Sequence, residues 1–342
     1  MHVFLIGRGM VMNLRRMAFV AGLALTAMSG AAGAQTLTQA GISDGFTLST
    51  FYTGGGSSNY GIISATAIGN GNVVGSAYGS TQLMQFTEGS GNTVNNLTSA
   101  NSILTTNSVV GTPVGLATVN GTAYVNVLNQ GIYTVGTNGS LSLLTAMDGT
   151  YGIWAGPNNT VLASTLTGVV QINVSTGALT TVATTQGFVD GVTVNAAGTI
   201  VYAENNSHIL GFSLQAGTYG QQVYDSGVLA VVPDGTGVIN GGALNGDLVV
   251  SGNNGDICVL DTTTNVCTNI VTGLTRGDLV SADSNNGTLF VADYGQLLRL
   301  GLTGSTIGSS PNSSVPEPAS MLLFGSAVAG FGAVRRRLRK RG

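Results

Sequence analysis

The chain has 342 residues, of which 53 are Gly and only 7% are charged, against about 25% charged in an ordinary globular domain. That composition excludes coiled coils and Glu/Lys-rich helical bundles, and 43% hydrophobic residues exclude a disordered tail. Of the 11 basic residues, three precede residue 17 and six follow residue 334, leaving Arg276 and Arg299 between them. Two arginines cannot build a basic face, so no nucleic-acid partner is expected.

Residues 1–34 read as a secretory signal peptide. Arg15 and Arg16 supply the positive start, Met17 to Met28 the apolar run, and Ala32-Gly33-Ala34 the small residues that signal peptidase needs. Cleavage is expected between Ala34 and Gln35. The apolar run is short for a permanent anchor.

Residues 35–302 repeat. A turn pair followed by apolar residues recurs at Gly71-Asn72, Gly121-Thr122, Asn159-Thr160, Gly198-Thr199, Gly246-Asp247 and Gly287-Thr288, at intervals of 50, 38, 39, 48 and 41 residues. A short apolar strand precedes each pair, a third strand follows, and a fourth follows in most units (Leu141 to Leu144, Leu179 to Val182 and Val266 to Val271). Four strands in about 40 residues predict the blade of a β-propeller, and six such units predict a six-bladed, all-β ring. A β-helix is the rival, with rungs of about 20–30 residues. The sixth unit lacks a fourth strand, and Phe46 to Tyr52 is a strand without a unit. Pairing the two would close the ring and remove an exposed edge.

Catalytic signals are sparse, and no catalytic residue is assigned. His2 lies in the signal region, and His208 reads as a solvent-facing residue at a strand start. Cys258 and Cys267 flank a Thr262-Thr263 turn, which places them across a hairpin where a disulfide can form after export. The 13 acidic residues of the body against two arginines give a charge of 2 − 13 = −11. That balance would suit Ca²⁺, around Asp278 and Asp283 with Asn285 and Asn286, or around Glu204 with Asn205 and Asn206. No spacing matches a known calcium loop, so no cofactor or metal ligand is assigned. Trp154 fits an inner-strand core position.

Residues 303–314, rich in Gly, Ser, Thr, Pro and Asn, read as a flexible spacer. Val315-Pro316-Glu317-Pro318 follows, then an uncharged apolar stretch from Ala319 to Val334, then Arg335, Arg336, Arg337, Arg339, Lys340 and Arg341. Sixteen helical residues cover about 24 Å, marginal for a bilayer core of about 30 Å. The basic cluster would remain in the cytoplasm. Residues 315–342 resemble the PEP-CTERM sorting signal of exopolysaccharide-producing Gram-negative bacteria. The resemblance implies that Pro316, Glu317 and Pro318 are recognised by a membrane exosortase that removes the tail. The body resembles, diffusely, the six-bladed NHL and gluconolactonase families, through Gly287-Thr288-Leu289-Phe290-Val291-Ala292-Asp293 and Gly198-Thr199-Ile200-Val201-Tyr202-Ala203. The resulting expectation is a non-enzymatic exported protein, anchored transiently at the inner membrane and then delivered to the cell surface or an exopolysaccharide matrix. A secreted metal-dependent hydrolase or lyase of gluconolactonase type is the alternative.

Overall fold

The computed structural model describes residues 35–54, 60–69, 71–88, 95–105 and 111–308. The expected signal peptide, the sorting region 315–342 and the end of the spacer lie outside those residues.

β1 (Thr36–Leu37), a short helix α1 (Gln39–Asp44) and β2 (Phe46–Thr53) come first. Blade one is β3 (Ile62–Gly69), β4 (Asn72–Ala77), β5 (Gln82–Thr87) and β6 (Ser102–Thr105). Blade two is β7 (Pro113–Val119), β8 (Thr122–Val127), β9 (Gly131–Val135) and β10 (Leu141–Ala146). Blade three is β11 (Gly149–Gly156), β12 (Thr160–Thr165), β13 (Gly168–Asn173) and β14 (Leu179–Thr184). Blade four is β15 (Val189–Val194), β16 (Ile200–Asn205), β17 (His208–Ser213) and β18 (Gln222–Asp225). Blade five is β19 (Pro233–Asn240), β20 (Leu248–Gly252), β21 (Ile257–Leu260) and β22 (Cys267–Thr272). Blade six is β23 (Gly277–Asp283), β24 (Thr288–Asp293) and β25 (Gln296–Leu302), with β26 (Thr306–Ile307) after it.

Every blade is an antiparallel meander. The inner strands pack in a closed circle, β3 on β7, β11, β15, β19, β23 and back to β3. Tight turns set the register: Asn120 and Gly121, at φ 49° and 77°, give the left-handed turn that matches strand twist between β7 and β8. Second strands are apolar on both faces because a blade packs on each side. Val161, Leu162 and Ala163 are all 0% exposed.

β2 is the fourth strand of blade six. It pairs with β25 from Phe46 opposite Leu302 to Thr53 opposite Gln296. Its Phe51 is fully buried, with ring centroids 5.2 Å from Phe86 of blade one and 4.9 Å from Phe290 of blade six. The sequence-distant ends of the ring are thus joined through one aromatic wedge. Arg299 lies over Phe51 and Phe290 at 4.7 and 5.3 Å. It also pairs with Glu88, and with Asp283 at 3.0 Å. Burial, reinforced by the Asp283 charge and opposed by Arg299, pushes the Glu88 carboxyl up to about 7. A buried ion cluster of this kind fixes which partners meet more than it adds stability.

The segments flanking the blades on either side are stitched to blade five as well. β1 pairs with β22, and β26 pairs with β19. The start of the segment read as a flexible spacer therefore belongs to the ring, because Thr306 and Ile307 complete a sheet edge. Sequence periodicity also missed α1, a single helical stretch capped by the Thr38 hydroxyl, which accepts from Gly41 N at 3.1 Å. Among the described residues, no helix is long and apolar enough to cross a membrane. Cys258 and Cys267 are joined by a disulfide across β21 and β22, with Cα atoms 5.6 Å apart. The bond runs diagonally, since Cys258 faces Asn269 and Cys267 faces Leu260.

Candidate functional site: the mouth of the central channel

All six inner strands break register with their second strand near the start: at Ile62/Ser64, Pro113/Leu116, Gly149/Ile153, Val189/Val192, Pro233/Gly235 and Gly277/Val280. A bulge re-aims a side chain and frees backbone amides from the ladder. The freed groups are taken by polar side chains set in otherwise apolar strands. Ser164 accepts from Gly152 N at 3.0 Å and donates to Asp190 O at 2.7 Å. Glu204 accepts from Gly191 N at 2.8 Å, and Asp293 accepts from the amides of Thr275 and Arg276 at 2.9 and 3.1 Å.

The residues released at this level are Ile63, Val114, Tyr151, Asp190, Asp234 and Asp278. Five of them line a cavity of about 240 Å³ at one end of the channel, with Tyr60, Tyr78, Phe188 and Arg276. Below it the channel pinches to a space of about 10 Å³ lined by Gly115, Gly152, Gly191 and Gly235. Glycine is required there, because a Cβ on Gly115 would sit 2.2 Å from Tyr151 O, and one on Gly235 would sit 2.4 Å from Asp278 O. The cavity is therefore a cup with a floor rather than a through pore.

The cup has two unlike halves. One wall is an aromatic arc: Tyr60 to Tyr78 at 5.1 Å, Tyr78 to Tyr151 at 6.4 Å, and Tyr151 to Phe188 at 5.8 Å between centroids. The other wall is acidic, with Asp190, Asp234 and Asp278 supplied by three successive blades. Arg276 crosses between the walls. It donates to Asp234 at 2.7 Å, stands 3.9 Å from Asp278 and lies 5.0 Å over the Tyr60 ring.

Crowded carboxyls titrate unusually. Burial, then the hydrogen bond to Asp234 and its charge, push Asp190 up to about 10, so at neutral pH it keeps its proton and donates a hydrogen bond to Asp234. Burial, then the Asp234 charge, push Asp278 up to about 7 while Arg276 opposes. Glu204, 1% exposed behind Gly191, is pushed up to about 8 by burial and by Asp234. Burial works against the charge of Arg276, but the Asp234 hydrogen bond and the two aspartate charges outweigh it and keep the guanidinium protonated. Burial, helped by Tyr78 and Asp190, pushes the Tyr151 phenol up to about 12.

The calcium candidates of the sequence are not assembled. Asp278 lies at the channel end of β23, whereas Asp283 ends the strand and binds Arg299, Asn286 and Thr288. Glu204 faces inward while Asn205 donates to Phe188 O. A divalent cation does not fit the cup either. Among the described residues no three carboxylate, imidazole or thiolate groups converge as a metal would need, and Asp234 is engaged by Arg276. His208 is half-buried, and its Nδ1 lies 2.8 Å from Asp225. The pair borders a second, larger cavity of about 610 Å³ with Gln186, Asn205 and Asn206 on the outer part of blade four. Trp154 is buried on inner strand β11, as its sequence context implies.

Comparison with known proteins separates the tail from the ring. Residues 314–337 match the PEP-CTERM protein-sorting motif. No curated protein matches the chain. Among solved structures, the ring is similar to a gluconolactonase from Xanthomonas campestris, with a TM-score of 0.62 and 13% identity over 81% of this chain and 99% of that one. It is similar to the calcium-binding protein regucalcin from Agrobacterium tumefaciens, with a TM-score of 0.56 and 13% identity over 77% of this chain and 97% of that one. A virginiamycin B lyase from Staphylococcus aureus follows, at 0.52 and 12% over 75% and 99%. At such identities the likeness shows the fold alone. The chain is a six-bladed β-propeller bearing a PEP-CTERM sorting motif, and hence an exported protein held transiently at the membrane before its release to the surface or beyond.

Proposed function

We propose that the protein is a non-enzymatic component of the cell surface or extracellular matrix, and that the cup at its channel mouth holds the end of a saccharide chain. The observation that carries this reading is the pairing of an aromatic arc with a hydrogen-bonding wall in one cavity. Pyranose rings offer apolar C–H faces to aromatic rings and hydroxyls to carboxylates and guanidinium. Asp278 as acceptor and Arg276 as a fork supply both hydrogen-bond senses. Signal peptidase would cut after Ala34. Gln35, the new first residue, is already tied to the ring through Nε2 and Asp293 Oδ2 at 2.6 Å. Exosortase would act at Val315-Pro316-Glu317-Pro318, and the tail Arg335 to Arg341 would stay on the cytoplasmic side.

Retention of the purified protein on exopolysaccharide, lost in Tyr151→Ala, is the expected result. Equal retention of parent and variant, or none by either, would overturn the reading. A hydrolase or lyase is the second reading. It draws on the gluconolactonase- and lyase-like fold and on the proton shared by Asp190 and Asp234, an arrangement able to serve as an acid–base pair. Lactone turnover abolished by Asp190→Asn would favour it.

A further inference from the structure

We infer that the saccharide taken by the cup carries a free primary ammonium group, so that the site selects de-N-acetylated amino sugars over neutral, N-acetylated or uronic acid sugars. This inference rests on the saccharide reading above and narrows it.

Three observations converge. Asp278 is only 8% exposed and lines the cup, and its Oδ2 forms only a loose ion pair. Its nearest cation, Arg276 Nη2, stands off at 3.9 Å because that nitrogen is engaged with Asp234 at 2.7 Å. Oδ1 accepts from Leu279 N at 2.9 Å, which leaves Oδ2 as the carboxylate oxygen a ligand would engage. A buried carboxylate oxygen facing a cavity calls for a charged donor. Next, Tyr78 and Tyr151 line the same cavity, 6.4 Å apart between ring centroids, while Arg276 lies over Tyr60. Aromatic walls facing carboxylates form the surroundings in which organic cations are held. Finally, the body carries a formal charge of −11, and its second arginine, Arg299, is buried against Glu88 and Asp283. The long-range field of the body therefore favours the approach of cations over anions. A uronate would bring its carboxylate against Asp234 and Asp278, a repulsion that excludes it as firmly as attraction admits an amine.

The test is calorimetric titration of the exported protein at near-neutral pH with four hexasaccharides: glucosamine, N-acetylglucosamine, glucose and galacturonate oligomers. The glucosamine oligomer should bind about tenfold or more tighter than its acetylated and neutral counterparts, which is what one charge-assisted hydrogen bond supplies. The galacturonate oligomer should not bind. Raising the salt should weaken the preference in part, since the pair is largely buried, and Asp278→Asn should erase it while leaving weak neutral binding. Asp225→Asn, on the outer cavity, should change nothing. The salt series on the unmutated protein decides the matter if Asp278→Asn does not fold. Equal affinity for glucosamine, acetylglucosamine and glucose oligomers would overturn the inference and leave the saccharide reading intact. Binding of none of the four would remove both.

Discussion

Replacing Phe51 by Ala tests how the ring is closed. The side chain is 0% exposed and wedged between Phe86 and Phe290, at 5.2 and 4.9 Å. It belongs to the N-terminal strand, yet it packs against the first and last blades. Phe→Ala at a fully buried site costs about 3–5 kcal/mol, because the transfer energy is lost and the cavity is only partly refilled. Phe86 and Phe290 stand on separate blades and are held by their own ladders, so little collapse is expected. For a domain of this size, 1 kcal/mol moves Tm by about 2–4 °C, which gives a fall of about 6–20 °C. Differential scanning calorimetry should show one transition shifted as a whole, since opening the seam exposes both neighbouring blades. Leu143→Ala, at a residue 54% exposed on the outer strand of blade two, should move Tm by no more than about 2 °C, as surface changes generally do. Closure of the ring through Phe51 is refuted if Phe51→Ala matches that control, or if the thermogram splits into one transition for the N-terminal segment and another for an unaffected ring.

Stability should rise on acidification. Asp190, Glu204, Asp278 and Glu88 all have folded pKa values above their unfolded ones. The native state therefore binds more protons from about pH 4 up to the folded values of 7–10, and stability is lost as pH rises through that window. Glu204 alone contributes up to about 1.4 kcal/mol per pH unit between pH 5 and 7. Tm should climb from pH 8 to pH 5, and Glu204→Gln should raise Tm at pH 8 and flatten the profile; a Tm that falls over that range contradicts the reasoning. Gly115→Ala places a methyl 2.2 Å from Tyr151 O, and overpacking of about 1–3 kcal/mol should lower the urea midpoint with an unchanged slope. Reducing the disulfide between Cys258 and Cys267 frees a loop with a sequence separation of 9 residues. A loop that short constrains the unfolded chain by about 2–3 kcal/mol, so a reductant should lower Tm in the parent and not in Cys258→Ser/Cys267→Ser.

Blade construction was legible because each blade writes its own turn pair and second strand into the chain. The unpaired strand at Phe46 was legible for the complementary reason, that a ring tolerates no orphan edge. β26 was not, because two residues completing an edge carry no period. The cup was hidden by geometry. Asp278 and Asp283 are neighbours in sequence but lie at opposite ends of β23, so grouping them followed the chain and not the channel. A usable signal was present: Asp190, Asp234 and Asp278 recur at 44-residue intervals at the head of each inner strand, the first two followed by Gly. The aromatic arc leaves no such trace. Its members run from Tyr60 to Phe188 on different elements and meet only when the ring closes. His208 read as an exposed turn residue for the same reason, since Asp225 reaches it from a strand seventeen residues on.

Hydrogen exchange with an oligosaccharide released from the matrix tests the location of binding most directly. The account predicts slowed exchange at Tyr60–Ser64, Tyr151–Gly152 and Asp190–Gly191, around the mouth of the channel, and none at Asn205–His208. Protection confined to Asn205–His208, beside the outer cavity of blade four, would place binding elsewhere and contradict it.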